Sequence, residues 1–430
     1  FLLVLPLLFA AGCATPPPSD GEAATSAPGL ELPPGAAEAA AVIDAELLAG
    51  PIRELSDDRY RGRGAGTEGD RAARQWIAER MAEIGLEPGA ADGGWQQPFD
   101  IVGVTAEVPR SWSFELPSGE RMSVERDEEF IAFSGVQDGE AAIADAELVF
   151  VGYGIVAPEY DWDDLGDAEL DGKVLVMLNN DPDWDPALFE GNRRLYYGRW
   201  DYKYETAARV GAAGAIIVHT TASAGYPWQV VQTSWSGEQV ELPDRGEPRI
   251  EIGAWLTEEA TRSLLQQAGF ELDQLVARAK TREFTPVPLG IRSSLRLENE
   301  LNRTQSANVL GVLPGGDPEL SRQYVVYTAH HDHIGDGGQG EDPIYNGALD
   351  NASGVSQLLA IAEAFVALPE PPARSLLFAF VGAEESGLLG SQYYAEHPTV
   401  APGRIAANLN FDGGNIWGRT RDVTYIGYGK

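Results

Sequence analysis

The chain has 430 residues, with 31 Lys and Arg against 66 Asp and Glu, a formal net charge of −35. That length has room for two or three folded units, and so acidic a surface repels phosphate backbones and anionic lipid headgroups, which argues against nucleic-acid binding. Its single cysteine, Cys13, rules out a disulfide within the chain.

Phe1 to Ala11 is almost wholly apolar and too short to cross a bilayer. With A-A-G-C closing on Cys13, it resembles the tail of a bacterial lipoprotein signal whose lipobox opens with Ala10 in place of the usual Leu. The resemblance implies that Cys13 bears lipid. The body is then extracytoplasmic, anchored to a bacterial membrane, facing the periplasm from the outer membrane. No initiator Met or basic segment precedes Phe1, so the start reads as clipped. Residues 14–40 are Pro, Ala, Gly and Ser with almost no large apolar side chain, and are expected to form a disordered tether, with order beginning near Val42.

Thr67 and Asp70 form a capping pattern, and Ala73, Trp76, Ile77, Met81 and Ile84 follow at helical spacing up to Gly85. This helix carries a core stripe and no evident chemistry. The Gly-rich R-G-R-G-A-G-T run before it lacks the G-K-[ST] of a phosphate loop.

From Trp112 to Pro286 short strands (112–116, 146–153, 173–178, 215–219) surround a helix at 203–213, and a second helix is expected over 257–268. Tyr196, Tyr197, Arg199 and Trp200 are read as an exposed loop and a candidate substrate-facing rim. E-L-V-F-V-G-Y-G-I-V, D-G-K-V-L-V-M and Y-K-Y-E-T-A-A-R-V-G-A-A-G-A-I-I-V resemble the protease-associated domain inserted in several exopeptidases. Such inserts shape the neighbouring cleft and carry no chemistry themselves.

After Pro288, strands are expected at 293–298, 308–312, 324–329, 376–381 and 405–409, with a helix over 353–367. The alternation predicts an α/β fold, a three-layer α/β/α sandwich on a mixed sheet, interrupted by the smaller α+β insert. The expected division is a lipoprotein signal (1–13), linker (14–40), first peptidase part (41–111), insert (112–288) and second peptidase part (289–430).

In a fold of this kind ligands bind at the carboxyl ends of strands. His330 and Asp332 follow one strand, Glu384 and Glu385 another and Asp412 a third, while Asp350 sits at the mouth of the helix. Charged groups just past apolar strands are costly unless solvated, paired or metal-bound, and four such placements point to a metal site. In an extended segment His330 and Asp332 share a side, so Asp332 can accept the proton of the imidazole nitrogen turned away from the metal. Asp350 can bridge two zinc ions, and one of Glu384 and Glu385 can bind metal while the other moves protons.

H-H-D-H-I-G, G-A-L-D-N-A-S-G, G-A-E-E-S-G-L-L-G-S and N-F-D resemble the co-catalytic di-zinc aminopeptidases, the family of aminopeptidase Y and glutamate carboxypeptidase. The resemblance implies that His330 and Asp412 hold the first zinc, Asp350 bridges, and Glu385 holds the second. It makes Glu384 the general acid/base and Asp332 the group that orients its neighbours, and it implies a cis peptide between Asp350 and Asn351. Peptides are the expected substrates, and release of amino-terminal residues the expected reaction. Glutaminyl cyclase, dipeptidase or carboxypeptidase activity on the same scaffold, or a receptor-like lipoprotein without catalysis, are the alternatives. The family's second zinc takes a histidine downstream of the Asp412 motif. Residues 413–430 contain none, so the sequence reads as truncated there also. His397 and His219 read as surface and structural residues, His331 as packing or support, and His333 as a cleft residue outside the ligand set.

Overall fold

The computed structural model describes residues 32–191, 193–337, 341–414 and 418. Cys13, the lipoprotein signal and the tether up to residue 31 lie outside them, and no helix among the described residues is long and apolar enough to cross a membrane. The tether expected over 14–40 ends early. A short helix, Ala36–Ala40, buries Ala39, so small residues without a periodic apolar stripe still find packing against the body.

Helix α1 (Ala45–Leu55) starts on Asp44, whose side chain accepts the N–H groups of Glu46 and Leu47. Helix α2 (Glu68–Ile84) runs as read: Thr67 caps it and Gly85 closes it at φ 99°, a conformation that disfavours side chains with a Cβ. Strand β1 (Gln96–Glu107) follows and carries the chain into the insert.

In the segment expected as the insert three strands run parallel, with 214–218 paired to 174–178 on one side and 214–219 to 252–257 on the other. Its helices, Trp200–Arg209 and Glu258–Gln267, fall close to the expected spans. The chain returns along a single 27-residue strand, β2 (Val287–Leu313). The segments 293–298 and 308–312, expected as separate strands, are therefore one. The joining residues 298–305 are mostly polar and are themselves exposed or half-buried, so no burial period marks them, although they pair with β1, where Ile101, Val102 and Val104 are buried. The expected boundary at 288/289 falls inside β2 and that at 111/112 inside the strand Ser111–Glu115.

Strand β3 (Tyr324–His330) lies parallel to β4 (Ser375–Val381) and β5 (Ile405–Asn410), while β4 is antiparallel to the end of β2. Helices α1, α2 and α3 (Ser353–Val366) cover one face, where Leu55, Ile77, Met81, Leu358, Phe378 and Phe380 form the core. On the other face Leu310, Val326, Leu377 and Ala379 meet Val400 and Tyr394, the latter from helix α4 (Leu389–Glu396). This is the three-layer arrangement on a mixed sheet. It places the carboxyl ends of β3, β4 and β5 side by side.

Candidate metal centre

Those three strand ends supply the polar cluster. His330 closes β3 with 3% of its side chain exposed, and its Nε2 lies 3.1 Å from Asp350 Oδ1, 3.3 Å from Asp412 Oδ1 and 3.8 Å from Glu384 Oε2. The side chains of Asp350 and Asp412 are about half exposed, so the cluster opens outward from a buried imidazole. Two sets, His330–Asp350–Glu385 and His330–Glu384–Asp412, bring their ligand atoms within 4.8 Å of one another. Among the described residues His330 is the one histidine in these sets.

The donor chemistry fits zinc. Zinc bonds to imidazole nitrogen and carboxylate oxygen run at about 2.0–2.2 Å, so neighbouring ligand atoms of a tetrahedral ion stand roughly 3.3–3.5 Å apart. The spacing of His330 Nε2 from Asp350 and Asp412 is close to that edge, and Glu384 stands further off.

Local structure explains how each group arrives. Gly347, at φ 61°, turns the chain before Asp350, and the Asp350–Asn351 peptide is cis, as the resemblance implied. The Asn351 side chain then donates to Phe411 O at 3.0 Å and accepts the N–H groups of Gly354 and Gly413. It thereby pins the start of α3 to the loop bearing Asp412. Ala383, at φ 53°, turns the chain after β4 so that Glu384 and Glu385 both enter the cluster.

Asp332 acts differently from the sequence expectation. His330 Nδ1 faces the backbone oxygen of Asp332 at 3.2 Å, while the carboxylate, 3.8 Å from that nitrogen, instead accepts the N–H of Glu384 at 3.0 Å and that of Glu385 at 3.3 Å. The chain leaves the strand at His330, which ends the alternation on which a shared side rested. Asp332 therefore supports the glutamate turn, and its main chain fixes the imidazole.

The crowded carboxylates and their burial shift the proton affinities within the cluster. Burial, with Asp332, Glu385 and Asp412 nearby, pushes Glu384 up to about 7. Asp350 is raised by burial and by Glu385, and Asp332 by burial. Burial alone would lower His330, but the carboxylates around it outweigh that and raise it.

Two supports lie in stretches that carried no chemical signal. Asp70 and Arg74 of α2 are buried beneath the site. Asp70 accepts from His331 Nε2 at 3.0 Å, Arg74 Nε at 3.0 Å, Ser306 Oγ at 3.1 Å and Gly66 N at 2.9 Å. Arg63, from the Gly-rich run, is fully buried and donates to four main-chain carbonyls. Burial pushes its pKa down to about 10, with Asp332, Asp350 and Glu385 opposing the fall. A capping pattern and an R-G-R-G run look like ordinary helix entry. Only the return of the strand end and the loop at 346–347 onto them makes them part of the site.

The remaining histidines divide clearly. His331 is the buried partner of Asp70, and His333 Nδ1 meets Glu385 Oε1 at 2.6 Å. His219 faces Tyr226 O, and His397 stacks on Tyr393 in an exposed loop. The four rim candidates are engaged within the insert: Tyr196 with Glu205, Tyr197 with Glu159, Arg199 with Asp201, and Trp200 edge-on to Trp235. Among the described residues none of the four hydrogen-bonds or stacks against the polar cluster.

Residues 308–430 match the model of Peptidase family M28. The four motifs read in the sequence lie within that span. It is 34% identical over 131 residues to aminopeptidase NAALADL1 of Mus musculus, a match spanning 29% of this chain and 16% of that protein. Aminopeptidase YwaD of Bacillus subtilis is 31% identical over 134 residues, spanning 30% and 27%. An aminopeptidase of Pseudomonas aeruginosa is 25% identical over 366 residues, 84% of this chain and 55% of the relative. The chain thus spans little more than half, or less, of these relatives' lengths. Among solved structures, an aminopeptidase from Aneurinibacillus sp. strain AM-1 aligns with 88% of this chain and 72% of its own, at 20% identity and a TM-score of 0.46. BSAP, a zinc aminopeptidase from Bacillus subtilis, aligns with 89% and 70%, at 20% identity and a TM-score of 0.37.

Proposed function

We propose that this protein is a zinc-dependent aminopeptidase that hydrolyses the first peptide bond of its substrates. The observation that carries the reading is His330 Nε2 within 3.1 Å of Asp350 and 3.3 Å of Asp412, with Glu384 standing off at 3.8 Å. Zinc, when bound, supplies a Lewis acid for the scissile carbonyl and makes water a better nucleophile. His330, Asp412 and Asp350 are the residues to hold one ion, with Asp350 shared and Glu385 given to a second. The histidine that the family resemblance requires for that second ion belongs downstream of the Asp412 motif.

The chain's own groups manage substrate and protons. Glu384 takes the proton of the attacking water and returns it to the departing amine nitrogen. Asp332 holds the Glu384 backbone so that its carboxylate faces the reacting atoms. The excess of carboxylates at the mouth favours the cationic amino terminus of a peptide. The insert acts as a protease-associated domain that bounds the cleft, and Cys13 serves as a lipid anchor on the periplasmic side of a bacterial membrane. Support for the anchor comes from the apolar run that ends in A-A-G-C.

The test is hydrolysis of aminoacyl-nitroanilides by the full-length protein, before and after chelation, beside Glu384→Gln. Activity that survives chelation, or a fully active variant, would overturn the reading.

A further inference from the structure

The guanidinium of Arg63 is fully buried, and among the described residues its hydrogen bonds go to main-chain carbonyls and not to a carboxylate. Its Nε donates to His331 O at 2.8 Å, Nη1 to Asn346 O at 2.8 Å and to Leu55 O, and Nη2 to Gly347 O at 2.8 Å. Its own carbonyl accepts the N–H of His333 at 3.3 Å. One side chain therefore joins the end of α1, the strand end that carries His330 and Asp332, and the loop that turns into Asp350. The planar fork suits this task, because its donors leave in fixed directions and can serve several carbonyls at once.

The surroundings leave little slack. A Cβ on Gly347 would lie 2.5 Å from Arg63 Nη2 and 2.7 Å from the His333 ring, and one on Gly62 would lie 2.3 Å from Gly335 O. Arg63 itself sits at φ 52°, a left-handed conformation uncommon for a residue with a Cβ. The main chain on both sides of the guanidinium is thus packed against the segments it joins.

We infer that Arg63 is a positioning residue for the zinc ligands, setting Asp350 against His330 by clamping the 346–347 loop to the end of β3. The role rests on the zinc-peptidase reading of the cluster. It also has an unusual sign. Removing a positive charge from beside Asp332, Asp350 and Glu385 would by Coulomb attraction alone strengthen the binding of a cation. Loss of the clamp weakens it, because the ligands are no longer held at one spacing. The direction of the change in zinc affinity therefore separates a clamp from a mere charge.

The experiment compares full-length wild type, Arg63→Met, Arg63→Lys and, as a control, Lys203→Met. Lys203 is a buried amine of the helix Trp200–Arg209, where it donates to Tyr153 O at 2.6 Å. Zinc affinity is measured by competition with a chromophoric chelator, folding by far-UV circular dichroism and thermal melting, and kcat and KM on a nitroanilide. Arg63→Met is expected to remain folded and to bind zinc about 10- to 100-fold more weakly, the usual effect of losing a group that orients ligands. Its kcat falls with KM little altered. Arg63→Lys, a point charge that reaches fewer carbonyls, is expected to recover only part of the loss, and Lys203→Met to melt earlier with wild-type zinc affinity. Unchanged or tighter zinc binding in folded Arg63→Met overturns the inference, as does a matching loss in Lys203→Met. Should Arg63→Met fail to fold, Arg63→Lys decides, and wild-type affinity and kcat there overturn it. A wild type that neither binds zinc nor hydrolyses peptides refutes the zinc-peptidase reading itself, and the role of Arg63 with it.

Discussion

The two oxygens of Asp332 are divided between Glu384 and Glu385, one accepting the backbone N–H of Glu384 at 3.0 Å and the other that of Glu385 at 3.3 Å. The glutamate proposed for proton transfer and the one proposed for metal binding thus hang from one buried carboxylate. Asp332→Asn leaves one oxygen and turns an NH2 group toward a backbone donor. We expect kcat to fall about 10- to 100-fold with KM nearly unchanged, a range typical for groups that hold ligands. Steady-state kinetics on a nitroanilide checks this, and equal losses in kcat and substrate binding would contradict it.

Glu384→Gln removes the proton carrier while leaving His330, Asp350 and Asp412 in place. A general base contributes typically about 100- to 10,000-fold, so kcat should fall by that order with zinc still bound, as read by metal analysis of the dialysed protein. Base catalysis needs the ionised form, and burial with the neighbouring carboxylates raises this group to about 7. The rate therefore rises with pH through the Glu384 pKa, and bound cations favour the carboxylate. The acid limb of kcat/KM should accordingly lie at or below about pH 7. A bell whose acid side lies well above that would assign the limb to another group.

Metal removal has a stability readout as well as a catalytic one. A ligand that binds only the native state stabilises it by RT ln(1 + [L]/Kd), about 2.7 kcal/mol at 100 times Kd. The melting temperature of chelated protein should climb with added zinc, and His330→Ala should abolish the climb. A zinc-independent Tm in the wild type would contradict the proposed centre.

Asp70 ties pH to stability away from the ligands. Burial alone would raise its pKa, but its bonds and charges with His331, Arg74 and Gly66 N hold it below the usual carboxylate value. A folded pKa below the unfolded one means that the unfolded chain binds more protons. The contribution is then complete above about pH 4 and is lost as pH falls through the folded pKa. Asp70→Asn should lower stability at neutral pH and flatten the acid side of the stability curve. Urea melts at several pH values measure both.

Gly69 lets α2 begin directly over the turn that carries Arg63. A Cβ there would lie 1.8 Å from Tyr60 O, a backbone atom that cannot swing away. Gly69→Ala should destabilise by about 1–3 kcal/mol, the usual range for overpacking, despite the better helix propensity of Ala. A neutral result in chemical denaturation would show that the turn can move.

Much of the site is legible in the sequence because its groups sit where a periodic apolar run stops. His330 ends β3, and Glu384, Glu385 and Asp412 follow soon after β4 and β5, segments that read as apolar runs although β5 is largely exposed, and the turn at Asp350 opens a helix with an evident core stripe. What escapes is whatever depends on contacts far along the chain. Arg63 and Asp70 look like parts of a loop and a helix cap until residues 331 and 346–347 close over them. Residues 298–305 look like a linker because their own side chains are exposed or half-buried, although β1 opposite them buries Ile101, Val102 and Val104. The orientation of Asp332 differs from its expected one for a local reason: β3 ends at His330, two residues before it, so the alternation of an extended segment does not reach Asp332.

The long return strand β2 also bears on how this protein reaches its native state. Residues 298–309 pair with residues 96–107, which lie 191 to 213 positions earlier, and residues 309–313 then pair with 376–380. On a ribosome, residues 45–107 emerge long before the strand that must cover β1. Residues 102–105 can pair with 238–241 once those are made, but the full pairing of β1 waits for β2. Pairings so distant are slow to form, since the entropy of closing the loop is spent before any contact rewards it. A fully folded insert shortens that loop by holding its own two ends together. Residues 112–286 should therefore fold first and act as the template on which β1 and the later strands β2 to β4 meet.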